Sequence, residues 1–328
     1  MTVSRRTFVA ALGAAPLVTL ASRSAFAAYP DRPVHMIVPF AAGGNSDTVG
    51  RIAGDAMGKV LNQTFVVENR GGAGGGIGAE YVAHATPDGY VLLVGSNGPL
   101  TVNPFIHLKL GYDPLKDLTA VALTSYVPHA IILTNKVEAK SLPDLIALAK
   151  QRPVTIATSG IGSATHMTLE RFKHATGANL THVPYRGGGS LLPDVIGGNV
   201  DAAMTEFSTA LSLHKGGKAH IIAIAAAKRS KLAPDIPTFD EGGVKGFTAQ
   251  SYIGIVAPSK TPADIIAQLE GSVQKGMAEG TPAAERLVSL GSELATPEQM
   301  TAKGFAAFIK ADYEEMREAA QLAGIKPT

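Results

Sequence analysis

Three stretches of this 328-residue chain share one device: glycines and small hydroxyl or amide residues placed where a strand pattern gives way to a helix pattern. The first is Phe40-Ala41-Ala42-Gly43-Gly44-Asn45-Ser46-Asp47, the second Ser159-Gly160-Ile161-Gly162-Ser163-Ala164-Thr165-His166, and the third Tyr185-Arg186-Gly187-Gly188-Gly189-Ser190. The chemistry open to such a stretch is anion binding. The first turn of a helix leaves backbone N–H groups without internal partners, and the aligned peptide dipoles add partial positive charge there. Glycine lets a carboxylate or phosphate come close to the backbone, and Asn45, Ser46 or Ser163 can cap the helix that follows. One such loop alone reads as a plain turn before a capped helix. Three of them argue for a shared ligand.

The candidate contacts in the first loop are Phe40, Ala41, Ala42, Gly43, Gly44, Asn45 and Asp47, and in the second Ser159, Gly160, Gly162, Ser163 and His166. His166 has no partner visible in the sequence, and a lone histidine more often packs than reacts. Tyr185 and Arg186 add a donor and a cation to the third loop, although an arginine is more commonly a solvated surface charge.

The elements that must position these loops follow from the alternation of short β-rich apolar runs with amphipathic stretches, the pattern of βαβ units and a mostly parallel sheet. Strands are expected at 33–38, 64–68 and 90–94, with helices at about 46–61 and 77–85. The polar loop Gly95–Pro104 leaves the third strand at its carboxyl end, where ligands sit in open α/β sheets. Ser96 and Asn97 are candidates there, and equally ordinary turn formers. Leu118–Thr134 holds two apolar runs broken at Tyr126-Val127-Pro128, long enough for extended chain crossing between domains. Beyond it come a helix at 142–150, a strand at 154–158, helices at 164–176 and 191–196, and strands at 201–204 and 220–227, with Thr205-Glu206-Phe207-Ser208 as a loop. A second crossing runs from Phe247 to Pro258. Two crossings imply a hinge and a cleft between lobes. The expected division is residues 28–127 with 250–328 as one domain and 128–249 as the other. The remainder from Pro262 is read as helical, with Asp312, Glu314, Glu315 and Glu318 on a solvated face.

Residues 1–27 carry Arg5-Arg6 before Phe8, an apolar run to Ala21, and Ala25-Phe26-Ala27. This is the pattern of a cleavable export signal, with paired arginines of the twin-arginine type. The apolar run is 14 residues, short of the ~18 that would suggest a membrane span. Removing the segment takes away three arginines and no acid, leaving 26 basic against 27 acidic residues. A near-neutral mature chain lacks the basic stripe that nucleic acid requires. With zero cysteines, disulfides and thiolate metal sites are excluded.

Enzymatic chemistry finds little support. There is no G-x-S-x-G elbow, H-E-x-x-H or Walker A lysine pattern, and the nine histidines lack ligand spacing. Gly74, Gly76 and Ala79 match G-x-G-x-x-A between a strand and a helix, but they follow a polar Glu68-Asn69-Arg70 segment and no acid stands at the ribose spacing. A glycine-rich crossover that packs tightly is favoured over a nucleotide site. No catalytic residue, metal site or cofactor is expected.

Taken together, several stretches resemble the substrate-binding component of tripartite tricarboxylate transporters, the Bug receptors. They are Tyr29-Pro30-Asp31-Arg32-Pro33, Ile37–Gly44 with Asp47, Val66–Arg70, Pro87-Asp88-Gly89-Tyr90, Ser159–Ser163 with His166, Val183–Gly187, Lys228-Arg229-Ser230, Pro237-Thr238 and Gly254–Pro258. The resemblance covers nearly the whole mature chain. It implies a two-domain, type II binding-protein fold, α/β, with a ligand cleft between lobes. It also implies a monomeric periplasmic receptor, without membrane insertion, that closes on a small mono-, di- or tricarboxylate and hands it to membrane permease subunits. In similar proteins the ligand carboxylate is held by the loops that correspond to Phe40–Asp47 and Ser159–His166. Gly71, Thr205 and Tyr252 stand where the family commonly has proline, aspartate and tryptophan, and Thr205 and Tyr252 are expected near the far end of the ligand. The competing functions are a ligand-sensing receptor for a signalling partner and, further off, an exported hydrolase or nucleotide-dependent enzyme.

Overall fold

The computed structural model describes residues 29–322 and 327. The export-signal reading concerns residues outside this range. Ten strands and ten α-helices alternate along the described chain. In order they are β1 (Val34–Val38), α1 (Asn45–Leu61), β2 (Phe65–Asn69), α2 (Gly76–Ala83), β3 (Val91–Gly95), α3 (Asn103–Ile106) and β4 (Leu118–Thr134). Then come α4 (Leu142–Gln151), β5 (Val154–Thr158), α5 (Ala164–Thr176), β6 (Leu180–Pro184), α6 (Gly188–Gly197), β7 (Ala202–Glu206), α7 (Phe207–Lys215) and β8 (Ala219–Ile224). The chain ends with β9 (Gln250–Pro258), α8 (Ala263–Gly276), α9 (Pro282–Ser289), β10 (Glu293–Leu294) and α10 (Ala302–Leu322).

The strands form one sheet in the order β2-β1-β3-β9-β4-β7-β5-β6, with β8 and β10 added along β4. The 17 residues of β4 run through the whole middle of it. Its first half pairs antiparallel with β9, from Leu118 opposite Pro258 to Pro128 opposite Gln250. Its second half pairs with β7, starting at His129 opposite Glu206, and with β8. The neighbour changes at Pro128, a residue with no N–H to give to a ladder, and the expected break there becomes a hand-over within one continuous strand. Parallel pairing joins β1 to β2 and β3, and β5 to β6 and β7; the pairs made by β4 and β9 are antiparallel. The sheet is therefore mixed, with parallel pairs in the outer part of each half and antiparallel pairs along β4 and β9.

Each half of the sheet has its own core, because its inner strands are apolar on both faces and helices cover both. Val34, Met36, Val49, Ala53, Met57, Ile253, Ile255 and Val273 belong to one core, and Ile131, Leu133, Ile156, Phe172, Met204 and Phe239 to another. In α1 the buried residues Val49, Ala53, Ala56 and Met57 recur at helical spacing, and the helix stops at Asn62, whose left-handed conformation (φ 50°) ends it as a glycine would. Ser163 caps α5, its Oγ accepting from His166 N at 3.2 Å, and Gly177 closes that helix with φ 64°.

Two local readings change. Thr205–Ser208 is no loop: Thr205 and Glu206 finish β7, and Phe207 opens α7 directly, so the strand end is itself the helix cap. The short helix expected at 191–196 starts at Gly188, because Gly187 (φ 148°) takes a conformation that glycine alone tolerates and turns the chain three residues sooner. On α10, Asp312 is not solvated. It accepts from Thr101 Oγ1 at 2.5 Å, and burial raises its carboxyl to about 6.

Gly254 on β9 faces Phe305 of α10, which is fully buried. A Cβ there would meet the ring at 2.4 Å and Ala122 O at 2.9 Å. Gly254→Ala must push the ring aside, and we expect it to cost about 1–3 kcal/mol of stability, read as a lower urea midpoint with an unchanged slope.

Candidate functional site

The two halves of the sheet meet in a seam made largely of backbone. Ala41 N donates to Arg186 O at 2.9 Å, and Ser208 Oγ donates to Asn45 Oδ1 at 2.9 Å. A Cβ on Gly189 would lie 1.9 Å from Ala42 O, one on Gly74 2.4 Å from Gly162 C, and one on Gly98 2.3 Å from Gly74 O. Gly74 of the G-x-G-x-x-A match thus serves close packing against the second loop, while Gly76 faces Asn103. Gly71 is under the same constraint, since a Cβ there would meet Arg186 O at 2.8 Å.

Inside the seam is a small enclosed cavity of about 10 Å³, room for about one water. It is lined by Phe40, Gly44, Asn45, Ser46, Ser96, Ser159, Ser163, Ala164, Gly188, Glu206 and Ser251. Four helices begin on its wall: α1 after Gly44, α5 after Ser163, α6 after Gly187 and α7 after Glu206. Their first-turn N–H groups and dipole ends converge on one space, and no lysine or arginine lines it. Two buried polar atoms on this wall, Asn45 Nδ2 and Ser159 Oγ, have no partner within the protein. Buried polar groups are nearly always paired, so these two mark where a ligand or ordered water would sit. The arrangement can hold a small anion by uncharged donors.

Of the sequence candidates, Phe40, Gly44, Asn45, Ser96, Ser159 and Ser163 lie together on this wall. Ala41, Ala42, Gly43, Gly160 and Gly162 shape the loops around it. Asp47 turns back into its own loop, where Oδ2 accepts from Gly43 N at 3.0 Å and Oδ1 from Asn69 at 2.9 Å, with Arg51 paired to it. Burial opposes its charge, but hydrogen bonds from Arg51, Gly43 and Asn69 outweigh that and keep the carboxyl below its usual range. Asp47 is a brace of the loop. Asn97 accepts from Tyr252 N at 3.0 Å and faces β9.

Five other candidates do not line the cavity. Tyr185 OH donates to Asp194 at 2.5 Å, and Arg186 is exposed, contributing only its carbonyl to the seam. The ring of Tyr252 packs edge-on against Phe305 and Phe308, away from the cavity, because β9 alternates faces and puts Ser251 on the cavity side. His166 does have a partner: it stacks on His182 at 4.5 Å, and its Nδ1 accepts from Gly162 N at 3.3 Å. Thr205 does not line the cavity but reaches it indirectly, donating to Glu206 at 3.3 Å.

Sequence reasoning missed Glu206, Ser251 and His129. His129 is fully buried, with Nδ1 2.8 Å from Thr168 Oγ1 and Nε2 2.8 Å from Ser251 Oγ, and Ser251 donates to Glu206 Oε1 at 3.3 Å. The available signal was a single ionisable residue at the end of an otherwise apolar run, Glu206 after Ala202-Ala203-Met204-Thr205 and His129 within Val127–Leu133.

Comparison with known proteins gives a consistent result. Residues 49–321 match the family described as tripartite tricarboxylate transporter family receptor. The fold is similar to that of Rpa4515 from R. palustris, solved with adipate, with a TM-score of 0.87, 31% identity, and 92% of this chain and 100% of that one covered. It is equally similar to the periplasmic binding protein BugD (TM-score 0.87, 34% identity, 92% and 100% covered). MatC from Rhodopseudomonas palustris, solved with malate, superposes with a TM-score of 0.84 at 32% identity, covering 89% and 99%.

Two expectations follow from this geometry. Gly189 has no strained φ, so Gly189→Ala leaves α6 intact, or up to ~1 kcal/mol more stable, yet puts a methyl group into Ala42 O. Calorimetry should show at least tenfold weaker binding of any cleft ligand by a normally folded protein; undiminished affinity would mean that closure does not use this seam. The second concerns pH. Burial holds His129 at about 3, and burial with neighbouring positive charge holds His166 and His182 at about 4. Each lies below the unfolded value of ~6.5, so the unfolded chain takes up protons that the folded one refuses. Their stabilisation is complete above ~6.5 and is lost as pH falls toward 4, by up to ~4 kcal/mol per pH unit if all three contribute. Urea titrations at a series of pH values would read that slope, and His182→Asn should reduce it.

Proposed function

The chain belongs to the tripartite tricarboxylate transporter receptor family, and we propose that it is a periplasmic solute receptor that captures a small dicarboxylate and delivers it to membrane permease subunits. The family is one of solute receptors rather than enzymes. The observation that carries the choice of ligand class is the convergence of four helix starts, with Asn45 Nδ2 and Ser159 Oγ unpartnered, on one enclosed cavity. Such a site stabilises negative charge without a cation and favours oxygen acceptors, which is what a carboxylate presents. The adipate and malate held by Rpa4515 and MatC support the dicarboxylate class.

In this reading, residues 28–127 with 250–328 form one lobe and 128–249 the other, and β4 and β9 are the hinge. The loops Phe40–Asp47 and Ser159–His166 approach the ligand from opposite lobes. Closure brings the Gly187-Gly188-Gly189 turn against Ala41 and Ala42, which shuts the cavity. The space inside is close to one water's worth in this closed arrangement, so the lobes part to admit any larger molecule and settle slightly wider around it. Among the described residues no helix is long and apolar enough to cross a membrane, and delivery therefore depends on docking with a separate membrane subunit.

Thermal unfolding of the refolded mature chain against mono-, di- and tricarboxylates, amino acids and nucleotides tests the reading. A ligand at 100 times its Kd adds ~2.7 kcal/mol, several degrees for a chain of this size. Shifts confined to dicarboxylates are expected; a shift from nucleotides with none from any acid would return attention to Gly74–Ala79.

A further inference from the structure

Glu206 is the one ionisable side chain on the cavity wall among the described residues, and it is nine-tenths buried. Its surroundings are unusual for a carboxyl group in an anion site. Oε1 accepts from Ser251 Oγ at 3.3 Å, and Oε2 accepts from Thr205 Oγ1 at 3.3 Å. Neither partner is charged. The next group along is His129: with the Ser251 hydroxyl donating to Glu206, its oxygen is left to accept from Nε2–H of the neutral imidazole, and Nδ1 then accepts from Thr168. Both hydroxyls bonded to the carboxyl, Ser251 and Thr205, are thereby donors to it.

The charged and titratable groups facing this carboxyl can be taken element by element. From β4 there is His129, one hydroxyl away and neutral, and behind it Arg171 on α5, whose guanidinium donates to Thr248 O at 3.2 Å. From α1 come Asn45 and Ser46, with Asp47 turned into its ion pair with Arg51. From α5, α6 and the ends of β3 and β5 come Ser163, Gly188, Ser96 and Ser159, none of them titratable. An ionised Glu206 would thus be a buried charge facing no cationic side chain, with only the helix starts to oppose it, and the carboxylate of a ligand competing for those same starts would add repulsion. Burial pushes its pKa up accordingly. In the neutral form the carboxyl has a proton to donate, and with Ser251 and Thr205 already acting as donors, the cavity is the direction left for it.

We propose that Glu206 is the specificity-determining residue for the far end of the ligand: as a neutral acid it donates a hydrogen bond to the second carboxylate of a dicarboxylate, while the helix starts hold the first. The assignment rests on the carboxylate reading given above. It explains how a site without cations takes two negative charges, since one of them shares a proton with the protein. Binding is then coupled to protonation: where free Glu206 is ionised, each dicarboxylate bound takes up one proton, and affinity falls as pH rises.

The test uses three ligand series matched in chain length, represented by adipate, hexanoate and 6-aminohexanoate, titrated calorimetrically between about pH 6.5 and about 8.5, where free adipate stays a dianion. We expect adipate to bind best, its affinity falling up to tenfold per pH unit with uptake of up to one proton, read from buffers of different ionisation enthalpy. Glu206→Gln keeps a neutral donor, so it should retain adipate within about tenfold at the low-pH end and show a flat profile. Hexanoate should bind weakly and without pH dependence. The assignment is overturned if adipate binds with no proton uptake and identical pH profiles in both proteins. It is also overturned if 6-aminohexanoate is preferred and lost in Glu206→Gln, which would mark Glu206 as an anionic partner for ammonium. Failure of every carboxylate in both folded proteins would instead reject the carboxylate reading itself.

Discussion

Backbone N–H groups at the start of a helix have nowhere inside the helix to go, and this molecule buries four such starts around one small space. That constraint organises much of what surrounds it. A lone helix terminus at a surface satisfies its donors with water; four of them enclosed together need acceptors that can be shared, and the cavity wall supplies only part of that need. Ser163 caps α5 through its side chain, whereas α1, α6 and α7 have no side-chain cap. The site is therefore built from backbone, and the glycines at 44, 187 and 188 are there because a side chain would fill the space or block the approach.

The long central strand β4 gives this arrangement its rigidity. Both halves of the sheet hang on β4, and one ladder of hydrogen bonds, Thr168 to His129 to Ser251 to Glu206, links α5, β4, β9 and the end of β7. A fully satisfied buried network of this kind specifies one geometry, because leaving any member unpaired costs far more than the net gain from pairing it. The carboxyl on the cavity wall is thus held in place by β4 and β9, the strands that join the two halves of the sheet.

Much of this was legible in the sequence, for identifiable reasons. The strand-to-helix loops could be read because glycine and capping residues signal locally, and β1, β5 and α5 fall within a residue of where periodicity puts them. The crossings at 118–134 and 247–258 were visible as apolar runs too long for a single lobe. What could not be read depends on where side chains face after strands pair. Tyr252 and Ser251 are neighbours, and only the register of β9 against β4 decides which one meets the cavity. The Thr205–Ser208 stretch looked like a loop because a glutamate in an apolar strand end is locally disfavoured; burial beside Ser251 and Thr205 overrides that preference. Tyr185 and Arg186 have the right chemistry at the right loop, but Asp194 captures the first and the backbone path turns the second to solvent.

The glycine seam has a consequence for how such a receptor can diversify. The surfaces that meet in the seam are main chain against main chain, at Ala41, Ala42, Gly74, Gly98, Gly162 and Gly189, whereas the proposed ligand contacts are side chains, at Asn45, Ser159, Glu206 and Ser251. The two sets scarcely overlap. Substitution within the second can change the preferred cargo while leaving the closing equilibrium, and the shape shown to a docking partner, largely as they were. A lineage can in this way acquire new nutrients by changing a few wall residues, without rebuilding the moving parts.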